Sequence, residues 1–323
     1  MDLDGKYGPI NAVVNLKDEI FCLQDTAVAQ ISINPRVQVQ GNDGLSLELG
    51  TGGVLNDYSY RTTTVGCLNK FGVVTSEMAF YFVDAINRGI MTFDGQKIGR
   101  LTDSKGLHYE MLERMNYEEL IKDNAVLGTG VSLGYNPVNA DVYFTFLQPG
   151  DNFTLGFNEK MSEFVSFYDY TPAWYINKGS VLISTNPNSV SLWEHFKGKP
   201  NYFYGTHYPS SVTLHVAPAG NEIILNNAGY KMELVDKDTG LEIPNKGLTG
   251  VRVYNDYQDS GLVDLALRKN VFHKFRNWKI NFPRQAGSRD RVRSAWGFAE
   301  FVFDNTDGNK LTLHNISIFY TQY

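Results

Sequence analysis

Residues 142–159 read VYFTFLQPGDNFTLGFNE. Val, Phe, Tyr and Thr fill a run up to Leu147, the polar turn around Pro149-Gly150 interrupts it, and a second run from Phe153 closes on Phe157-Asn158-Glu159. Two short aromatic and β-branched runs flanking such a turn form a β-hairpin. The plan recurs in IFCLQDTAVAQIS from Ile20, FYFVDAINRGIMTFDG from Phe80 and VLISTNPNSVSLWEHF from Val181. The match is closest between residues 80–95 and 142–159, where Phe80-Tyr81-Phe82 and Tyr143-Phe144 precede a polar turn and Phe93-Asp94-Gly95 parallels Phe157-Asn158-Glu159. Hairpins returning about every 40 to 60 residues suggest blades of a β-propeller, each sheet burying its faces against its neighbours. The chain therefore reads as all-β, with β-propeller-like repeats over residues 1–205.

From about Thr206 the character changes. SVTLHV, EIILNN, YKMELVDKDTGLEI and FAEFVFDNTDGNKLTLHNISIFY are longer strands, with turns at Asp238-Thr239-Gly240 and Asp307-Gly308-Asn309. Residues 206–323 are expected to form a second domain, a β-sandwich, with LHNISIFYTQY as a paired last strand. One segment breaks the β pattern: in GLHYEMLERMNYEELIKDNA, Gly106 to Ala125, Met111, Leu112, Met115, Leu120 and Ile121 recur at roughly helical spacing. It predicts one short amphipathic helix, covering a sheet edge or touching another subunit.

FNEKMSEFVSFYDYTPAWY, Phe157 to Tyr175, raises a choice. Phe164, Val165, Phe167 and Tyr168 put rings and aliphatics on both faces of a strand, which favours core filling between covered sheets. The other reading is an exposed platform of Tyr170, Trp174 and Tyr175 around Thr171-Pro172, on which sugar rings would stack.

The net charge of −6 argues against a protein that coats nucleic acid along its whole surface. MDLDGKYGPINAVV has acids where a signal peptide carries cations, and no run approaches the ~20 apolar residues that span a bilayer, so neither export nor membrane insertion is expected. Cys22 and Cys67 stand in no metal or redox spacing and read as buried free thiols. The six histidines form no HExxH or HxH, and GTGVSLG from Gly128 lacks the lysine of a P-loop. DLDGKYG and DNTDGNK lack the later bidentate glutamate of a calcium loop. Asp84, Asp94, Asp141, Glu159 and Asp169 lie near strand ends where glycosidase carboxylates sit, as acids in any β-rich chain do. No catalytic residue, cofactor or metal site is expected.

The most distinctive feature is KNVFHKFRNWKINFPRQAGSRDRVRSAW, Lys269 to Trp296, with eight Lys or Arg against the single acid Asp290 in a chain that is acidic overall. It reads as a nucleic-acid-facing stripe, a docking surface for an acidic neighbour, or arginines stitching the domain's own loops to its carboxylates. Docking candidates are Arg276, Trp278, Arg284, Arg289, Arg291, Arg293 and Trp296.

LELGTGGVLNDYSYRTTTVGCLNKFGVV (Leu47 to Val74), FYFVDAINRGIMTFDG, the FxSFYxYxP pattern at Phe164, and Trp278-Lys-Ile-Asn-Phe-Pro283-Arg284 followed by Arg289-Asp-Arg291-Val-Arg293 together resemble the C-terminal part of the tail muzzle, or tail stabilisation, proteins of crAss-like phages, tailed viruses of gut Bacteroidales. The resemblance implies a non-enzymatic virion protein at the distal end of a short tail. It also implies a homo-oligomeric ring closing the DNA exit channel, in contact with other tail proteins, fibres and the passing DNA. Family members are longer, which implies a processed product or a separately encoded piece. The alternative is a carbohydrate-binding or glycan-active propeller of a tail or cell-surface adhesin.

Overall fold

A computed structural model describes every residue except 1, 35–36, 41–45, 50–53, 125 and 266–270. The chain is all-β, and it divides into two compact units, residues 1–195 and 196–323.

Unit 1 is a series of antiparallel meanders. Sheet 1 comprises β1 (Ile10–Leu16), β2 (Glu19–Gln24), β3 (Val28–Asn34) and β6 (Val54–Thr62), with the hairpin β4 (Val37–Gln40) and β5 (Ser46–Leu49) inserted before its last strand. Sheet 2 is β7 (Val73–Thr75), β8 (Phe80–Asp84), β9 (Gly89–Phe93) and β10 (Ile98–Arg100). Sheet 3 is β11 (Gly130–Asn136), β12 (Asp141–Leu147), β13 (Phe153–Asn158) and β14 (Glu163–Tyr168). Sheet 4 has three strands, β15 (Trp174–Lys178), β16 (Val181–Thr185) and β17 (Leu192–Glu194). The predicted hairpins at 80–95 and 142–159 are present, with Phe80 opposite Phe93 and Phe146 opposite Phe153.

The period-2 geometry of β8 and β9 explains why sheet 2 has no polar face. Phe80, Phe82, Met91 and Phe93 join Phe21, Leu23 and Val28 in a core shared with sheet 1. Tyr81, Val83 and Ile90, on the opposite face, join Phe144, Phe146, Leu155 and Phe157 in a core shared with sheet 3. Each buried ring contributes roughly 2–3 kcal/mol through lost apolar surface, so both faces of the strand are held. Sheet 3 turns small residues toward sheet 4: a side chain at Gly134 would meet the Tyr175 ring at 2.5 Å, and the Tyr175 hydroxyl lies 2.9 Å from Thr145 Oγ1. The described residues form no closed sheet, so what they display of a propeller is its repeat, the meander.

Two local expectations are corrected. β14 alternates, with Val165 and Phe167 exposed and Phe164 half-buried, because it is the outer strand of sheet 3 and only one of its faces is covered. The single helix expected at 106–125 is instead broken into α2 (His108–Arg114) and α3 (Tyr117–Leu120), after a preceding turn α1 (Leu101–Ser104). The cause is Gln148. Its amide donates to the Arg114 carbonyl and its Oε1 accepts from the Asn116 N–H, taking up backbone groups that a continuous helix would pair internally. Arg114 fixes the excursion further through a bidentate pair with Asp151 and by lying 3.8 Å over the Phe153 ring. The apolar face, Leu101, Met111, Met115 and Leu120, closes the core between sheets 2 and 3.

Unit 2 opens with the hairpin β18 (Tyr202–Phe203) and β19 (Thr206–His207). One sheet is formed by β20 (Ser210–Val216), β27 (Gly297–Phe303), β22 (Gly250–Tyr254) and β23 (Val263–Asp264). The other contains β24 (Val271–Lys274), β25 (Asn277–Asn281), β21 (Ile223–Val235) and β26 (Arg293–Ser294), with β28 (Lys310–Gln322) along the free side of β21. One core is built from both, including Leu225, Ala228, Tyr230 and Ile280 from the second sheet and Val251, Val253, Ala299 and Phe301 from the first. EIILNN and YKMELV, read as separate strands, run on as β21 because a bulge beside Asn226 absorbs the polar Asn pair without ending the ladder. The predicted turn at 238–240 is closed by Asp236 Oδ1, which accepts from the N–H groups of Asp238 and Thr239.

Cys22 and Cys67 are buried and free, and burial pushes the Cys67 thiol up to about 12. Among the described residues no helix is long and apolar enough to cross a membrane.

Candidate interaction surface

The basic segment is built on β24 and β25. Lys274 pairs with Asn277, so the hairpin turn consists of Phe275 and Arg276 alone, and both adopt positive φ, at 53° and 61°. Two-residue turns of this hand normally carry Asn or Gly, and side chains as large as these hold the conformation at a cost. The turn leaves Phe275 83% exposed and sets Arg276 3.2 Å from Glu242. Trp278 is a packing residue: its ring lies flat against His273 at 4.1 Å and parallel to Tyr230 at 5.9 Å. Trp296 packs edge-on against Phe298 and near His215.

Between β25 and β26 the chain leaves the core at Phe282 and re-enters it at Val292. The loop between them is ordered by its own bonds. Gln285 N–H donates to the Asp290 carbonyl, the Arg284 guanidinium to the Arg289 carbonyl, and the Ser288 hydroxyl to the Asp290 carboxylate. Gln258 tethers it from below, donating to Gln285 Oε1 and accepting from the Arg293 N–H. Arg291 donates to the Asn226 side chain. Of the seven residues proposed from sequence, only Arg276 forms an ion pair; the guanidiniums of Arg284, Arg289, Arg291 and Arg293 are exposed and have no carboxylate partner among the described residues. Lys269 lies outside the described residues.

The three candidate stacking residues sit elsewhere. Tyr170 is 2% exposed, with its ring against Tyr168 and His195. Trp174 is half-buried edge-on to Phe71, and Tyr175 is stacked on Tyr143. Beside them Ser184 Oγ and His195 Nε2 are 2.6 Å apart and share a hydrogen bond, and burial holds His195 down to about 4, so near neutral pH its imidazole is uncharged.

Of the five carboxylates near strand ends, Asp169 is exposed, and the other four, Asp84 among them, accept hydrogen bonds. Asp94 accepts from the N–H groups of Gln96 and Lys97, Asp141 from Asn158 Nδ2, and Glu159 from the hydroxyls of Ser76 and Tyr81. Among the described residues no three His, Cys, Asp or Glu side chains are grouped as metal ligands would be.

Comparison with known proteins then settles the kinship. A family model described as the Crassvirus muzzle protein matches residues 1–188, and one for the Crassvirus muzzle protein C-terminal domain matches residues 198–285. The chain belongs to the crassvirus muzzle protein family. It is 28% identical over 334 aligned residues to the muzzle protein of Bacteroides phage crAss001, an alignment that takes in 99% of this chain and 23% of that relative. The chain thus spans less than a quarter of the relative's length.

Proposed function

We propose that the chain is a non-enzymatic assembly piece of the virion tail. Copies of it join in a ring at the distal end of the tail, around the channel through which DNA leaves, and the arginine segment docks the adjoining copy or tail protein. The meanders of unit 1 act as propeller blades and the two sheets of unit 2 as a sandwich, both rigid enough to hold such contacts in place.

The observation that carries the reading is the set of four exposed guanidiniums at Arg284, Arg289, Arg291 and Arg293, unneutralised within a chain of net charge −6. A loop whose backbone is already ordered by its own bonds presents them at a smaller entropic cost than a mobile one would, and charge of one sign on an oppositely charged protein favours association with an acidic surface. Replacing Arg289 and Arg291 together by Glu is expected to weaken association with the neighbour about tenfold or more while leaving the melting temperature unchanged, because neither side chain contributes to the core. Sedimentation velocity and thermal unfolding, run side by side on both forms, check this. Association undiminished in the double variant would remove the docking role.

A further inference from the structure

The outward face of the second sheet of unit 2 carries a groove of about 430 Å³, within the range of ~300–1,000 Å³ typical of small-ligand clefts. Its floor is Gly229. The register of three adjacent strands places Lys279 and Ser317 on either side of that glycine, Asn277 and Asn315 one pair further along, and Asn227 opposite Phe319. The Phe319 ring borders the open space above Gly229, 3.5 Å from where a Cβ would stand, and remains 52% exposed.

These side chains lack partners. Asn227, Asn277, Asn315, Ser317 and Lys279 make no side-chain hydrogen bond or ion pair among the described residues. An exposed aromatic ring beside several amide and hydroxyl groups not committed to protein partners, lined by lysine and by no carboxylate, matches the surface of an acidic sugar: C–H groups to lie on the ring, vicinal hydroxyls for the amides, and a carboxylate for the lysine.

We infer that this groove binds a short stretch of uronic-acid-containing polysaccharide, with a pyranose ring on Phe319 and a carboxylate at Lys279. A single-stranded nucleic acid is a poorer match, since it requires repeated cations along its backbone and successive stacking rings, whereas of the aromatic residues that line the groove only Phe319 is exposed, Tyr230 and Trp278 being packed against each other. The core of a protein interface is depleted of Lys and Ser, and this groove is built around both. The inference concerns neither the arginine loop nor ring closure and stands independently of them.

Isothermal titration of the full chain with short oligomers of galacturonate, mannuronate and glucuronate-containing glycans tests it, with neutral maltooligosaccharide and oligothymidylate alongside. At least one uronate oligomer is expected to bind more tightly than maltooligosaccharide. Phe319→Ala should weaken it about tenfold, the loss of a single good contact, and Lys279→Gln should abolish the preference for the acidic sugar. Phe319→Leu, which keeps apolar bulk and removes the ring, serves if the alanine form fails to fold and is expected to lose affinity as well. Binding of no uronate, binding unaltered in the Phe319 variants, or binding of oligothymidylate alone would each overturn the assignment.

Discussion

Gly66→Ala is expected to destabilise unit 1 by on the order of 3 kcal/mol or more, at the upper end of what overpacking costs. Gly66 is buried where the chain passes from sheet 1 to sheet 2, and an added Cβ would lie 2.3 Å from the Gln24 carbonyl oxygen and 2.6 Å from the carbonyl of Asp25. Those are backbone atoms and cannot rotate away. The surrounding bonds resist a shift: Cys67 N–H donates to the Gln24 carbonyl, and Asn11 bridges Asp25 and the Cys67 carbonyl. For a unit of this size the loss corresponds to a fall in melting temperature of roughly 6–12 °C. Gly99→Ala is the matched control, because its Cβ would meet Thr92 at 3.4 Å, and should change stability by less than about 1 kcal/mol. Thermal and urea unfolding of the two variants decide the point, and equal midpoints would show that the crossing from sheet 1 to sheet 2 is not rigid.

The second large effect is at Asp84, which touches the same junction. It is 1% exposed, and its carboxylate accepts from the Gly66 N–H, the Asn87 N–H and the Asn87 side chain. Asp84→Ala orphans the buried Gly66 N–H and removes the partner of Asn87, and is expected to cost about 3 kcal/mol. Asp84→Asn keeps one acceptor and the shape, and should cost less. The pH dependence separates the two effects. Burial raises the Asp84 pKa above its ordinary value, outweighing hydrogen bonds that lower it. The folded chain thus retains this proton to higher pH than the unfolded chain does. Stability from this group is therefore complete below the ordinary aspartate pKa and is lost as pH rises through the raised one. Asp84→Asn, which cannot ionise, should accordingly gain on the wild type between pH 3 and pH 7 in denaturant titrations. A gap that moves the opposite way would mean that the hydrogen bonds, not burial, dominate. Because Gly66 and Asp84 are in contact, the double variant Gly66→Ala, Asp84→Ala should lose less than the two single losses combined.

Both residues also mark the limit of what the sequence discloses. Hairpins such as 80–95 and 142–159 were legible because ring-rich runs, polar turns and period-2 burial are properties of neighbours in the chain. The broken helix was not, since Met111, Leu112 and Met115 are properly spaced and the side chain that interrupts them, Gln148, lies 32 to 34 residues further along the chain than its partners. Gly66 carries no local signal, because the Gln24 and Asp25 carbonyls that crowd it come from a distant part of the chain. The arginine segment stood out by charge density alone, yet its division into one paired cation, Arg276, and four unpaired ones depends on Glu242 and Gln258, which are remote in sequence. The groove around Phe319 left no local signal, because it is assembled from alternate residues of three strands, β21, β25 and β28, that are far apart in sequence. The kinship was legible as a combination of motifs, and the matches over 1–188 and 198–285 place it on both units.

The measurement that bears most directly on the central claim is the mass and symmetry of the purified chain, by light scattering and averaged electron-microscope images at low and high salt. The account predicts a closed ring at low salt that loosens as salt rises, since added ions screen attraction between exposed charges beyond roughly 10 Å at 0.1 M. A monomer at every salt concentration, indifferent to charge reversal at Arg289 and Arg291, would contradict it.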